Sequence, residues 1–218
     1  MSDTQHILLV LVGPAGAGKT TLAHGLQKTA PGKRAFSVSH TTRPMRTNEA
    51  DGVDYYFVEV AEFLALRQAG GFVESAAVHG NWYGTSKHEI ERLRGLGQDV
   101  LFDIDIEGAH NIWRQFPDIT RLCWVQPPRW QLTVARLQAR GSETPETLHR
   151  RLRTARKELQ ALLASEAPWH VVINGEVQQA IADLEPLLLP RAPPAVDLSN
   201  HTQLQDFLRD ALADPRTA

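Results

Sequence analysis

The chain has 218 residues, of which 42% are hydrophobic and 22% are charged, as in an ordinary globular protein with one sizeable domain. Its formal net charge of −2 excludes a global field that would attract nucleic acid or an acidic membrane, so we expect neither as a partner. The single cysteine, Cys123, excludes an internal disulfide framework and is predicted to be a small buried hydrophobe. The first apolar run, residues 7–12, is too short for a signal-peptide core or a membrane span, so we expect a cytoplasmic location.

Buried strands and helices alternate along most of the chain. The run at residues 7–12 is typical of a parallel strand buried on both faces, and a glycine-rich turn and a predicted helix at residues 20–29 follow it. Similar strands are predicted at residues 100–102, 122–125 and 171–173, and further helices at residues 86–96, 130–139, 145–164 and 178–189. This alternation predicts an α/β protein whose parallel sheet is flanked by helices.

Three segments depart from this rhythm. Residues 37–87 contain short β-like runs separated by turn signals, so we predict a small β-rich insertion there. Residues 130–157 are helical in pattern and rich in arginine. Residues 190–218 begin with a proline-rich linker and end with a helix, for which Ser199 or Asn200 is the predicted cap. The predicted core comprises residues 1–36, 88–129 and 158–189.

The segment GPAGAGKT at residues 13–20 fits the phosphate-loop pattern G-x-x-x-x-G-K-[ST] and lies between a predicted strand and a predicted helix, as that motif requires. Its glycines let backbone N–H groups surround an anion, and the start of the helix adds its positive end. The motif predicts that nine residues bind ATP: Gly13, Pro14, Ala15, Gly16, Ala17, Gly18, Lys19, Thr20 and Thr21.

Within this loop, Lys19 is expected to reach the β- and γ-phosphates, and the hydroxyl of Thr20 is expected to hold Mg²⁺. Asp103 follows the predicted strand at residues 100–102, and the carboxyl end of a parallel strand faces the ligand crevice. We therefore predict a metal site at Thr20 and Asp103, with Asp103 acting through a bound water.

A phosphate loop indicates a nucleoside triphosphate but does not identify the group that receives the phosphoryl. Arg43 and Arg46 lie three residues apart, and their planar guanidinium groups suit a phosphate monoester. The phenolic hydroxyls of Tyr55 and Tyr83 can donate hydrogen bonds to the same group. These four residues are therefore candidates for an acceptor-phosphate site.

Four polar side chains are candidates for reading a base: Ser39, Glu74, Thr85 and Asp105. The pairing edge of guanine offers two adjacent donors and one acceptor, so a carboxylate can accept from both donors while a hydroxyl serves the acceptor. Adenine would set the N1 lone pair against the carboxylate, and a site of this kind rejects the wrong base by a factor of about 10⁴. Spacing alone leaves each residue open to an ordinary role as a surface or strand polar group.

Four segments together resemble the nucleotide-binding motifs of guanylate kinases, in the order that this family carries them. They are SVSHTTR at residues 37–43, DGVDYYF at 51–57, VHGNWYGTS at 78–86 and DIDIEG at 103–108. The resemblance covers residues 7–188 and implies a P-loop NTPase core, a β-rich GMP-binding insertion and a helical lid at residues 130–157. The implied reaction is Mg²⁺-dependent transfer of the γ-phosphoryl group of ATP to GMP or dGMP.

The resemblance also assigns individual residues. It implies contacts with the GMP phosphate at Ser39, Arg43, Arg46, Tyr55 and Tyr83, and contacts with guanine at Glu74, Thr85 and Asp105. Glu49 is placed with the substrate-binding residues, and Asn174 is a candidate for the adenine site. The chain departs from the usual family pattern at Asn48, Ser75 and Trp82, and none of these changes removes a predicted ligand.

Transfer between two phosphates requires positioning and charge neutralisation rather than a general base, because the acceptor monoester has a second pKa of about 6 and is largely dianionic at pH 7. A hinged helical pair would bring arginines over the transferring group. Arg150, Arg153 and Arg156 are instead expected to be solvated charges. The predicted catalytic residues are Lys19, Arg43 and the three lid arginines that the resemblance implies, Arg136, Arg140 and Arg151.

Two alternatives remain open. A kinase that acts on another phosphorylated acceptor, such as ribose bisphosphate, would not need the base-reading set at Glu74, Thr85 and Asp105. A non-catalytic guanylate-kinase-like module binds phosphoproteins and typically lacks an intact phosphate loop, whereas Lys19 and Thr20 are present here. An assay with ATP and a panel of nucleoside monophosphates separates all three.

Overall fold

The computed structural model describes residues 6–78, 80–139 and 144–217. The strands of these ranges are β1 (Leu8–Val12), β2 (Arg34–Phe36), β3 (His40–Thr41), β4 (Tyr56–Phe57), β5 (Phe72–Val78), β6 (Asn81–Ser86), β7 (Asp99–Asp103), β8 (Thr120–Gln126) and β9 (Trp169–Ile173). The α-helices are α1 (Lys19–Thr29), α2 (Val60–Gln68), α3 (Lys87–Gly95), α4 (Ile106–Gln115), α5 (Trp130–Ala139), α6 (Pro145–Leu163), α7 (Val177–Leu184) and α8 (Thr202–Ala213).

A five-stranded parallel sheet with the order β2-β7-β1-β8-β9 forms the centre of the molecule. Its middle strand, β1, is buried along its whole length. Because successive side chains of a strand point to opposite faces, Leu8 and Val10 enter one apolar cluster while Leu9 and Leu11 enter the other. Burying each such side chain contributes about 1.5–3 kcal/mol. The predicted α/β fold with a parallel sheet flanked by helices is confirmed.

The parallel register fixes where the functional loops lie. Leu11 of β1 pairs with Asp103 of β7, so the loop after β1 and the acidic end of β7 lie at the same edge of the sheet. Residues 13–18 connect β1 to α1 at this edge. Parallel sheets of this kind bind ligands at the carboxyl ends of their strands.

A second sheet with the order β4-β3-β6-β5 occupies the predicted β-rich insertion. The hairpin of β5 and β6 pairs Glu74 with Thr85 across the sheet. The insertion also contains α2, which the sequence pattern did not predict. Phe63 is its one buried residue and stacks on Phe72 at a ring-centroid distance of 4.5 Å, so α2 shows little of the periodicity that marks an amphipathic helix.

The C-terminal segment packs on α5 and α6 through α8 and a final 3₁₀ turn. The predicted caps of α8 are wrong, because His201 caps the helix by accepting a hydrogen bond from the Leu204 N–H at 3.3 Å. Ser199 and Asn200 instead donate side-chain hydrogen bonds to Asp197 in the preceding turn.

Buried polar contacts fix this segment to the rest of the protein. Trp130 of α5 donates from its indole N–H to Asp214 at 2.8 Å, and Arg216 pairs with the same carboxylate at 2.7 Å. Arg156 of α6, which was predicted to be a solvated charge, donates to the Thr217 carbonyl oxygen at 3.2 Å.

The apolar pattern of the sequence led to two further predictions, one about Cys123 and one about membrane spans. Cys123 is completely buried, as predicted, and burial raises the pKa of its thiol. Across residues 6–78, 80–139 and 144–217, the structure has no helix of sufficient length and apolar character to cross a bilayer. The expected cytoplasmic location stays a prediction.

The Asp214 contacts predict a pH-dependent contribution to stability. The hydrogen bonds from Arg216 and Trp130 lower the pKa of Asp214 to about 2. The ionised carboxylate therefore stabilises the fold above the ordinary aspartate pKa of about 3.9, and this stabilisation is lost as the pH falls towards 2. We expect D214N to lower the free energy of unfolding by about 1–2 kcal/mol at pH 7, measured by urea denaturation.

The difference in the free energy of unfolding between wild type and D214N should decrease as the pH falls from 4 to 2. D206N is the matched control, because Asp206 forms an exposed ion pair with Arg209 on the same helix. Such surface pairs contribute less than about 1 kcal/mol. Identical denaturation curves for D214N and D206N at pH 7 would contradict this account.

Candidate active site

The phosphate loop takes a conformation that depends on glycine. Gly13 has a φ angle of 149°, and a Cβ atom at this position would lie 2.0 Å from the carbonyl oxygen of Val125. Gly18 has a φ angle of 90° and is the N-cap of α1, where it provides no side-chain hydrogen bond. The first N–H groups of α1 are therefore open to an anionic ligand.

Lys19, Thr20 and Asp103 form a polar cluster beside this loop. The Lys19 ammonium donates to the Gly13 carbonyl oxygen at 2.7 Å and lies 3.4 Å from one carboxylate oxygen of Asp103. The Thr20 hydroxyl donates to the other carboxylate oxygen at 2.6 Å. The predicted partners from two distant parts of the sequence thus meet at the end of β7.

The oxygen atoms of Thr20 and Asp103 fit the needs of Mg²⁺. This ion is usually held by one or two protein oxygens together with waters and substrate phosphates, rather than by a complete protein cage. Within the described ranges, no group of three or more His, Cys, Asp or Glu side chains is arranged to hold a metal. The adjacent hydroxyl and carboxylate therefore match a site that is completed by a nucleotide.

Two pockets adjoin at Lys19. The smaller, of about 180 Å³, is formed by the phosphate loop and includes Thr20 and Thr21. The larger, of about 470 Å³, extends from the same loop to the second sheet. Ala15, Lys19 and Asp103 line both pockets. The larger pocket also contains the following predicted substrate residues: Ser39, Tyr55, Glu74, Tyr83 and Asp105.

Two of the predicted base-reading residues, Glu74 and Asp105, line the larger pocket, whereas Thr85 lies outside its lining and pairs with Glu74. Thr85 is fully buried and donates from its hydroxyl to Glu74 at 2.6 Å. Burial raises the pKa of Glu74, and the negative charge of Asp105 adds to this rise, whereas the hydrogen bond from Thr85 opposes it. Asp105 also caps α4 by accepting from the Gly108 N–H at 2.7 Å. One oxygen of each carboxylate is thus held in place.

Arg43 is not among the residues that line this pocket, but it contacts an acidic side chain and an aromatic ring. Its guanidinium forms two hydrogen bonds with Glu49 at 2.8 and 2.9 Å and lies over the Tyr55 ring, 5.4 Å from the centroid. Glu49 also accepts from the backbone N–H of Arg46 at 2.9 Å. Glu49 therefore orients the predicted phosphate-binding arginine, and the interactions with Glu49 and Tyr83 raise the pKa of Arg43.

The predicted lid arginines have different positions. Arg151 lines the larger pocket, and Arg150 lies there with it although it is exposed, as expected for a solvated charge. Arg136 is outside that lining and donates to the Asn174 carbonyl oxygen at 3.1 Å, close to the phosphate loop. Arg140 lies outside the described residues.

Asn174, the predicted adenine-site candidate, supports the phosphate loop through a hydrogen bond to its backbone. Its side-chain amide donates to the Ala17 carbonyl oxygen at 2.7 Å, and only 2% of the residue is exposed. A Cβ atom at Gly18 would lie 2.4 Å from the same amide nitrogen. An adenine contact at Asn174 stays a prediction.

Glu158 is a pocket residue that the sequence reasoning missed. No sequence motif includes this residue, yet it lines the larger pocket from α6. Burial raises the pKa of its carboxyl group to about 7, an effect that Lys19 opposes and that Asp105 and Asp103 reinforce. Arg151, Ala155 and Glu158 occupy positions i, i+4 and i+7, which lie on the same face of a helix. This spacing is the sequence signal that predicts Glu158 to face the same side as Arg151.

Comparison with known proteins identifies the family. The family model described as guanylate kinase matches residues 5–189 of the chain. The guanylate kinase of Nitratidesulfovibrio vulgaris is 45% identical over 178 residues, which are 82% of this chain and 84% of the relative. The guanylate kinase of Symbiobacterium thermophilum is 40% identical over 183 residues, or 84% of each chain. The crystal structure of guanylate kinase from Anaplasma phagocytophilum matches with a TM-score of 0.66 and 26% identity, and covers 99% of this chain and 98% of that one.

The chain belongs to the guanylate kinase family. This confirms the resemblance that the four sequence motifs predicted. The match spans the phosphate loop, both strands of the hairpin of β5 and β6, and the whole of α6. The comparisons favour neither of the two alternative functions. The C-terminal helix α8 lies beyond the range that the family model matches.

The close approach of Gly13 to the Val125 backbone predicts that replacing this glycine lowers both stability and ligand affinity. We expect G13A to lower the free energy of unfolding by roughly 2 kcal/mol or more, because the added methyl group overlaps the Val125 carbonyl oxygen and the φ angle is unfavourable for alanine. ATP should also bind more weakly, as measured by calorimetry.

G95A is the matched control for this substitution. Gly95 ends α3 with no described atom within 4 Å of an added Cβ. Alanine also favours helix more than glycine does. G95A should therefore leave stability equal or slightly higher, and a G13A protein as stable as G95A would contradict the steric account.

Proposed function

We propose that the chain transfers the γ-phosphoryl group of ATP to GMP, and also to dGMP, in a Mg²⁺-dependent reaction that yields ADP and the corresponding diphosphate. The observation that carries this proposal is the meeting of two pockets at Lys19. One pocket has the backbone and side-chain chemistry for a polyphosphate. The other ends in carboxylates suited to the donors of guanine.

The donor site of this proposal is the phosphate loop. Its N–H groups and Lys19 bind the β- and γ-phosphates of ATP, with Thr20 and Asp103 holding the metal ion. When bound, Mg²⁺ neutralises charge on the phosphate oxygens. Asn174 keeps the loop in its anion-binding shape through the hydrogen bond to Ala17, which is 2.7 Å long.

The acceptor site of this proposal is the larger pocket. Glu74 accepts hydrogen bonds from the N1–H and amino groups of guanine, assisted by Asp105, while the hydroxyl of Thr85 fixes the carboxylate. Ser39, Tyr55 and Tyr83 lie along the same pocket. An adenine ring would leave these buried acceptors without donors, which is costly.

Charge neutralisation is proposed as the main catalytic contribution. Arg43 and Arg46 bind the acceptor phosphate, and Arg43 exchanges part of its contact with Glu49 for the substrate. The lid arginines Arg136, Arg140 and Arg151 stabilise the transferring group. Movement of α5 and α6 over the bound substrates excludes water and limits hydrolysis of ATP.

A coupled spectrophotometric assay tests the acceptor class. With ATP and Mg²⁺, we expect turnover of GMP and dGMP, and values of kcat/KM for AMP, CMP and UMP lower by about 10³-fold or more. E74Q should reduce kcat/KM for GMP by about 10- to 100-fold, because the amide replaces one of the two acceptor oxygens with a donor.

E62Q is the matched control for E74Q, since Glu62 is exposed on α2 in the same insertion. It should behave as wild type. Equal activity of E74Q and E62Q with GMP would remove Glu74 from the base-reading role. Absence of GMP turnover by the wild-type protein would overturn the proposed function.

Replacing Arg151 tests the lid. R151A should lower kcat by about 10³-fold with little change in thermal stability, because an arginine that neutralises a transferring phosphoryl group makes a contribution of this size. R153A, an exposed arginine on the same helix, is the control and should keep its activity. Similar turnover by the two variants would contradict the assignment.

A further inference from the structure

The inner face of α6 brings an acidic residue into a pocket proposed to bind anions. Arg151, Thr154, Ala155 and Glu158 all line the larger pocket, and their spacing places them along one stripe of the helix. Glu158 lies two turns from Arg151. The phosphate transfer described above does not use this carboxyl group.

The neighbours of Glu158 define its place along the pocket. It interacts electrostatically with Lys19, which marks the phosphate end, and with Asp105, which marks the base end. Asp103 is its third charged neighbour. Glu158 therefore lies in the pocket within electrostatic reach of groups at both of its ends.

The chemistry of a nucleoside monophosphate restricts what Glu158 can bind there. A carboxyl group offers hydrogen-bond acceptors, whether it is ionised or protonated. The phosphate group of a dianionic monoester has no donor for the carboxyl oxygens and repels the ionised form of Glu158. The donors of guanine are taken by Glu74 and Asp105 at the base end. The remaining donors are the two ribose hydroxyls, which lie between the base and the phosphate.

We propose that Glu158 binds the sugar of the acceptor nucleotide by accepting a hydrogen bond from a ribose hydroxyl. The inference rests on the proposed function, because it takes the larger pocket as the monophosphate site. It adds a sugar contact to the phosphate and base contacts already described. The chain would then distinguish acceptors by their hydroxyl groups as well as by their base.

If Glu158 acted only through its negative charge, its removal would change nucleotide affinity in the opposite direction from the loss of a hydrogen bond. Removing a negative charge from an anion pocket should tighten the binding of every nucleoside monophosphate, whatever its sugar. Removing a hydrogen-bond acceptor should weaken the binding of hydroxyl-bearing nucleotides only. The two roles are therefore separable by varying the protein and the sugar together.

The test compares four proteins with four acceptors. Wild type, E158A, E158Q and E91A are each assayed with ATP and with GMP, 2′-deoxy-GMP, 3′-deoxy-GMP and 2′,3′-dideoxy-GMP. Calorimetry gives the dissociation constant of each monophosphate without turnover, and thermal unfolding checks that each variant is folded. E91A is the control because Glu91 is an exposed glutamate on α3.

We expect E158A to lower kcat/KM for GMP by about tenfold or more, mainly by raising KM. The value of kcat/KM for 2′,3′-dideoxy-GMP should change by less than about twofold. E158Q should keep part of the preference for GMP, because its amide oxygen still accepts. One of the two monodeoxy compounds should behave like the dideoxy compound and so identify the hydroxyl.

An equal change for all four acceptors, or tighter binding of all four by E158A, would overturn the inference. Wild-type protein that binds GMP and dideoxy-GMP equally would overturn it as well. Failure of the proposed function has a different signature, namely that wild type shows no turnover of GMP. The calorimetric comparison still decides the role of Glu158 in that case.

Discussion

The parallel pairing of β1 with β7 is the constraint on which the rest of the site depends. It places the loop after β1 beside Asp103, although more than 80 residues separate Thr20 from Asp103 in the chain. Lys19 is then held by the Gly13 carbonyl oxygen and the Asp103 carboxylate, so its charge is fixed at the junction of the two pockets. Such preorganisation matters because a phosphoryl transfer depends more on position and charge than on covalent chemistry.

The site contains acidic groups as well as cations. Several of the carboxylates pair with a cation or accept a hydrogen bond from a hydroxyl group. Glu49 orients Arg43, Asp103 lies beside Lys19, and Thr85 holds Glu74. Buried carboxylates are costly unless hydrogen bonds satisfy them, so these contacts keep the pocket polar before a nucleotide enters. Glu158 is a further acid of the same pocket, where burial raises its pKa and the positive charge of Lys19 opposes that rise.

Local patterns predicted much of this architecture. The continuous apolar run of β1 and the glycine spacing that follows it predicted the central strand and the phosphate loop, because few other structures use that combination. The hairpin partners Glu74 and Thr85 came from matching motifs rather than from spacing. Their contact depends on the register of β5 and β6, which no single segment determines.

Other features depend on tertiary contacts and could not be derived in this way. Helix α2 buries only Phe63, so its sequence has little helical periodicity. Arg136 donates to the carbonyl oxygen of Asn174, an interaction set by the approach of α5 to the end of β9. Glu158 resembles a surface charge in the sequence, because the helix face that it shares with Arg151 becomes an inner face only when α6 crosses the pocket.

The attachment of the C-terminal segment to α5 and α6 has a practical consequence for handling the protein. Thr217 is only 3% exposed and accepts a hydrogen bond from Arg156, so the final 3₁₀ turn packs against α6, the helix that carries Arg151. A bulky fluorescent label attached at Thr217 would therefore disturb packing that also supports this side of the larger pocket.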